Sequence, residues 1–244
     1  MEKVAIITGA ATGIGRAIAI RLAKDGISVA VNYMGSSAQA DDVVKEIQVS
    51  GGIAKAFSAD VSKVSEIEQL FNEVIDAFDG IDIVVANAGI AVMGIPIIDV
   101  TEADFDRINA VNHKGTYFVL QQAAKKLRDG GRIIQISSTS SLYPAAGLGI
   151  YAPSKASGKV ITEILAQELG HRQISVNSVF PGPTKTPLME KEVSKEEMER
   201  IGKSMTLGRM GEPEDIAAVV AFLASEEGAW VNGQQIIVNG GGRI

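Results

Sequence analysis

Tyr151 and Lys155 stand four residues apart in Tyr151-Ala152-Pro153-Ser154-Lys155, a spacing that puts both side chains on one face of a helix. A free phenol titrates at about 10 and is a poor base at neutral pH. An ammonium a few ångströms away favours the phenolate and moves the tyrosine toward the range of a general acid–base catalyst. Ser138 lies upstream, just past the apolar run Gly131–Ser137. Its hydroxyl there could hold a substrate oxygen beside the phenol. A lone Tyr-x-x-x-Lys is commonplace on helices, and its weight here comes from what precedes it.

What precedes it is a glycine turn, Thr8-Gly9-Ala10-Ala11-Thr12-Gly13-Ile14-Gly15. It follows the first apolar run and opens the first helical segment. Glycines at these points let a strand turn sharply into a helix whose N-terminus faces a pyrophosphate, with no side chain between backbone and phosphate. The G-x-x-x-G-x-G spacing differs from the commonest dinucleotide fingerprint, so a ligand-free glycine turn is the competing reading. The second strand ends at Asn32-Tyr33, and no Asp or Glu occurs from Ser28 to Ala40. An acid in that stretch would hold the ribose 2′-hydroxyl of NAD(H). Asn32, Ser36 and Ser37 are neutral donors for a 2′-phosphate instead, which favours NADP(H) and leaves NAD(H) open. No cation lies in this loop, and Arg16 and Lys3 have no fixed place from sequence alone. Asp60-Val61 follows the third strand, where the acid either accepts from an adenine amino group or caps the next helix. Asn87-Ala88-Gly89 closes the fourth strand with residues small enough for the backbone to pass beside a cofactor.

The elements that must position these residues alternate. Strands are expected at Val4–Thr8, Ser28–Tyr33, Ile53–Ser58, Ile81–Ala86, Gly131–Ser137, Ile174–Val179 and Gln235–Val238. Helices are expected at Gly13–Asp25, Ala38–Ser50, Ser62–Phe78, Thr101–Arg128, Tyr151–Gly170 and Glu212–Ser225. Strands that are apolar throughout belong in a parallel sheet covered on both faces, so the pattern predicts an α/β, doubly wound, Rossmann-type sheet of about seven strands in one domain.

Composition narrows the function. The 244 residues are 46% hydrophobic and 21% charged, with a formal net charge of -6. No basic stripe suggests nucleic acid. The absence of cysteine excludes disulfides, thiolate nucleophiles and Cys-based metal sites. His113 and His171 have no neighbours at metal-ligand spacing, so no metal is expected. The longest apolar stretch, Val84 to Ile98, is broken by Asn87 and Pro96 and falls short of a membrane span. The N-terminus runs straight into the first strand without a signal segment, so a soluble, cytoplasmic protein is expected.

In combination these motifs resemble the short-chain dehydrogenase/reductase family, most closely its 3-oxoacyl-acyl-carrier-protein reductase-like members. The resemblance rests on Thr8–Gly15, Asn87-Ala88-Gly89, Asn112, Ser138, Tyr151 to Lys155, Pro181-Gly182 with Thr186, Leu207 to Asp215, and Val231 to Gln234. It implies that Tyr151 protonates a carbonyl oxygen as hydride arrives, and that Lys155 also binds the nicotinamide ribose. It implies that Asn112 sits in a local break of its helix and holds a water in a proton relay to Lys155. Without the resemblance, Asn112 reads as a surface or capping asparagine. Thr186 and the backbone from Pro181-Gly182 through Thr184 would anchor the nicotinamide carboxamide. Two departures stand out: Ala86 replaces a frequent asparagine, and Thr12 replaces the basic residue that many NADP-binding members carry.

In the family, the segment 184–206 is a mobile lid over the substrate. Candidate pocket residues are Val92, Met93, Ser140, Leu142, Tyr143, Ala145, Ala146, Gly147, Leu148, Pro183 and Met189, which include no carboxylate-binding arginine. A ketone or carbonyl reductase is the leading reading. A 3-oxoacyl reductase served by acyl carrier protein, with Arg128, Arg132 and Arg172 as docking cations, is an alternative. A sugar or polyol dehydrogenase is another, and a non-catalytic NADP-binding sensor would require damage to Ser138, Tyr151 or Lys155, which are all present. The resemblance also implies a homotetramer built on the long helices and the C-terminal strand, with Trp230 in an interface or the core.

Overall fold

The computed structural model describes residues 2–35 and 37–242. Seven strands form its centre: β1 (Val4–Ile7), β2 (Ser28–Tyr33), β3 (Ala54–Ser58), β4 (Ile83–Ala86), β5 (Arg132–Ile136), β6 (Ser175–Pro181) and β7 (Gln235–Val238). They pair in parallel in the order β3-β2-β1-β4-β5-β6-β7. Side-chain alternation divides the strands between two cores. Ala5, Ile7, Val29, Val31, Val85 and Ile134 pack under α1 (Gly13–Lys24), α2 (Ala38–Val49) and α9 (Pro213–Ala224). Val4, Ile6, Ala30, Val84 and Ile133 pack under α3 (Val64–Phe78), α5 (Thr116–Lys126) and α6 (Tyr151–Glu168). The expected doubly wound sheet, covered on both faces, is therefore what the chain forms.

The strand order reverses between β1 and β4, so their connections leave in opposite directions. A crevice opens beyond the C-terminal ends of these strands.

One expectation about elements needs correction. The helix expected over 101–128 is α4 (Glu102–Asn109), a π-helical turn (Ala110–Gly115) and then α5. The wider turn swings Asn112 inward, where it is buried. The segment 184–206 holds two short helices, α7 (Pro187–Glu192) and α8 (Lys195–Ser204), each started by a hydroxyl cap from Thr186 or Ser194. Ahead of α3, Glu66 accepts the Asp60 N–H across 2.7 Å.

Candidate active site

The glycine turn is braced from both sides. Asn87 donates its amide to the carbonyls of Thr8 and Gly9, at 2.9 and 3.1 Å. Asn32 accepts the Gly9 N–H across 3.2 Å and donates to the carbonyls of Phe57 and Ala59, at 3.3 and 3.2 Å. Both ends of the Asn32 amide are thus engaged inside the fold. The expectation that it donates to a 2′-phosphate is corrected to a bracing role: it lines the cleft while holding β2, β3 and the glycine turn together. Gly9 has a φ of +62°, and a Cβ on Gly15 would lie 2.3 Å from the Gly9 carbonyl oxygen, so neither position tolerates a side chain. The side chain of Thr12, the N-cap of α1, accepts no hydrogen bond, unlike those of Thr101, Thr186 and Ser194 at the starts of α4, α7 and α8. The first N–H groups of α1 are therefore left for another acceptor. An open helix start behind a bare glycine turn fits the pyrophosphate of a dinucleotide.

The cleft has two compartments. The first, about 280 Å³, is lined by Gly9, Thr12, Gly13, Ile14, Gly15, Asn32, Asp60, Val61, Asn87, Ala88, Gly89, Tyr151, Lys155 and Thr186. Met34, Ile90, Val111 and Ile136 line it as well, beyond the residues expected from sequence. They carry no polar signature and reach the cleft only because strand ends and the π turn converge on it. Tyr33 is absent from the lining, because its ring packs toward the core. Asp60 lines the cleft and accepts the Ser62 N–H across 2.9 Å, a turn ahead of α3 and not a cap on its first N–H groups. Ser36 lies outside the described residues.

The second compartment, about 230 Å³, continues past Tyr151 and Ser138, with Pro181, Gly182, Thr184 and Thr186 along one wall. Met93, Ser140, Tyr143, Ala145, Leu148, Pro183 and Met189 from the expected pocket line it, and no charged residue does. Leu142, Ala146 and Gly147 stand outside it, and Val92 packs against Ile108 and Ile150 instead.

Tyr151 opens α6 and borders both compartments. Burial pushes its phenol above the usual value, with a partial offset from the Ser138 hydroxyl. This corrects the expectation that Lys155 draws the phenol down. The Lys155 amine donates instead to the Ile136 carbonyl across 2.8 Å, and burial lowers its own pKa to about 8. Asn112 accepts the Ile90 N–H across 2.9 Å and donates to the Ile90 carbonyl and to Ser154 Oγ, at 2.8 and 3.0 Å. Ser154 in turn donates to the Tyr151 carbonyl across 2.7 Å. The π turn is thereby tied to the start of α6.

The three arginines expected beside the entrance lie elsewhere. Arg128 pairs with Asp82, Arg132 faces Glu226 and Arg172 pairs with Asp129, near the N-terminal ends of the strands and away from the cleft. Among the described residues no group of three or more His, Asp or Glu could hold a metal, and no helix is long and apolar enough to cross a membrane.

A parallel sheet whose switch point opens onto a glycine-braced crevice, lined by a half-buried tyrosine and a buried lysine, is the build of a dinucleotide-dependent oxidoreductase. A family model described as Enoyl-(Acyl carrier protein) reductase matches residues 9–242. The hydroxynaphthalene reductase-like protein Arp2 of Metarhizium brunneum is 41% identical over 252 residues, covering 98% of this chain and 94% of the relative. A short-chain dehydrogenase from Burkholderia cenocepacia, solved in complex with NADP, superposes with a TM-score of 0.92 at 38% identity, covering 98% of this chain and 97% of that one. The angucycline C-6 ketoreductase LanV with bound NADP gives a TM-score of 0.91 at 38% identity, with 98% and 95% coverage. The chain belongs to the short-chain dehydrogenase/reductase family and is an NAD(P)-dependent dehydrogenase/reductase.

Proposed function

We propose that the protein is an NADP(H)-dependent reductase of neutral, largely apolar ketones, with Tyr151 as the proton donor. The observation that carries this reading is the charge-free second compartment, which meets the cofactor cleft at Tyr151 and has Ser138 in its own lining. A bound NADPH would supply the hydride. Its pyrophosphate would rest on the glycine turn and the open start of α1, its ribose on Lys155, and its carboxamide on Thr186 and the backbone from Pro181 to Thr184. The NADP carried by the Burkholderia protein and LanV supports the same preference here, as does the lack of an acid at the end of β2.

The raised phenol keeps its proton at neutral pH, so Tyr151 can deliver it to the carbonyl oxygen as the alcohol forms. Ser138 donates a second hydrogen bond to that oxygen. Lys155, at about 8, still holds most of its proton near neutrality and can return one to the tyrosine. Asn112 Oδ1 and Lys155 Nζ converge beside Gly89, the position from which solvent would resupply that amine. The segment 184–206 acts as the lid, since Thr186, Pro187, Leu188 and Met189 already border the cleft. The acyl-carrier reading finds less support, because its candidate docking cations lie at the other end of the sheet. Exposed Phe105 and Tyr117 along α4 and α5, and Val160 and Ile164 on α6, support a homotetramer, as does Trp230.

The test is initial-rate NADPH and NADH oxidation with an aryl ketone, diacetyl, a β-keto ester and an acetoacetyl thioester. Turnover of free ketones with NADPH is expected. Turnover confined to the thioester would replace this reading with the 3-oxoacyl one. Tight NADPH binding without turnover of any of them would favour the sensor.

A further inference from the structure

The hydroxyl oxygen of Ser138 accepts two hydrogen bonds from a single residue. Ser140 donates its backbone N–H across 3.2 Å and its side-chain hydroxyl across 2.9 Å. A serine oxygen offers two acceptor sites and carries one proton. With both acceptor sites filled, that proton is left to point outward, into the compartment that Ser138, Ser140 and Tyr151 line together. The surrounding turn is held in place. Ser141 donates to the Ser138 carbonyl across 2.6 Å, and Thr139 donates to the Pro181 carbonyl across 3.1 Å.

We propose that Ser140 is a positioning residue that orients the Ser138 hydroxyl proton toward the substrate oxygen and strengthens it as a donor. The assignment rests on the reading of Ser138 as a donor to that oxygen. Capping the turn needs only the backbone N–H of Ser140, which any residue except proline supplies. The side-chain bond is what makes the residue type matter. Successive hydrogen bonds polarise one another, so an Oγ that accepts from Ser140 donates more strongly in turn. The pull of the Ser138 hydroxyl on the Tyr151 phenol, downward against burial, fits a proton directed to that side.

The test compares Ser140→Ala, Ser140→Thr, Ser138→Ala and the S138A/S140A double variant, using a ketone that the unaltered enzyme reduces. Ser140→Ala is expected to lower kcat about tenfold, the scale of one hydrogen bond, while the NADPH Kd stays within about twofold. Ser140→Thr keeps the hydroxyl and is expected to restore kcat to within about threefold of the unaltered enzyme. The double variant is expected to be no slower than Ser138→Ala, because the effect passes through Ser138. An unaltered kcat in Ser140→Ala overturns the assignment, and so does an equal slowing of the Ser138→Ala background. An enzyme that reduces no ketone at all overturns the underlying reading and the assignment together. An active enzyme indifferent to Ser140→Ala overturns the assignment alone.

Discussion

The amine of Lys155 donates to the carbonyl oxygen of Ile136 across 2.8 Å, at the top of β5 and under the cofactor cleft. Burial holds this lysine at about 8, against an ordinary 10.5. The unfolded chain therefore keeps a proton that the folded chain has released between those values, and folding stability rises with pH across that window. Below about 8 the cost of the buried ammonium is fully present. Relative to Lys155→Met, the unaltered protein should gain stability from pH 7 upward, by roughly 3 kcal/mol at most if the whole window is crossed. Urea unfolding at pH 7 and 9.5 measures the difference between the two proteins. A constant difference would mean that the amine is not desolvated. The hydrogen bond lost in the variant adds an offset that does not change its slope.

Asn112 and Lys155 both approach Gly89. A Cβ there would lie 3.3 Å from both Asn112 Oδ1 and Lys155 Nζ. Gly89→Ala is expected to leave unfolding nearly unchanged and to lower kcat/KM by about 10–100-fold, because small displacements at reacting groups are costly. Full activity in a folded Gly89→Ala would show that these two groups need not converge.

Asn32→Asp sets two readings of one residue against each other. With its amide donating to the carbonyls of Phe57 and Ala59, a carboxylate would face two oxygens at close range. The expected result is a loss of about 2–4 kcal/mol in chemical denaturation, in line with an uncompensated buried charge. A variant as stable as the parent that simply prefers NADH would restore the ribose-contact reading.

Sequence legibility followed periodicity and turn chemistry. β2 and β7 fall at their expected residues, and α1 starts at Gly13, because apolar runs and glycine turns report directly on strands and their exits. The π turn was not legible as an element, since one extra residue in a helical turn barely disturbs the hydrophobic pattern. It entered only as a consequence of the family resemblance through Asn112. The orientation of Asn32 was hidden for a related reason. An asparagine at a strand end has the same identity whether it faces a ligand or neighbouring carbonyls, and only the positions of β3 and the glycine turn decide. The direction of the Tyr151 shift is not legible either, because i, i+4 spacing brings Lys155 near but says nothing of Ile136, which takes the amine.

The charge-free second compartment predicts a preference that can be read in one substrate pair. A keto ester should exceed its free keto acid in kcat/KM by about tenfold or more, because nothing in the lining compensates a carboxylate. Equal rates would mean that the substrate lies elsewhere.

Tyr151→Phe, measured for both NADPH affinity and ketone turnover, decides whether Tyr151 is the proton donor. The expected result is a fall in kcat of about 10³-fold, within the range for losing a general acid, with the NADPH Kd within about threefold of the unaltered protein. Turnover within about tenfold of the unaltered enzyme would overturn the assignment, because the phenylalanine keeps the ring and lacks only the hydroxyl that holds the proton.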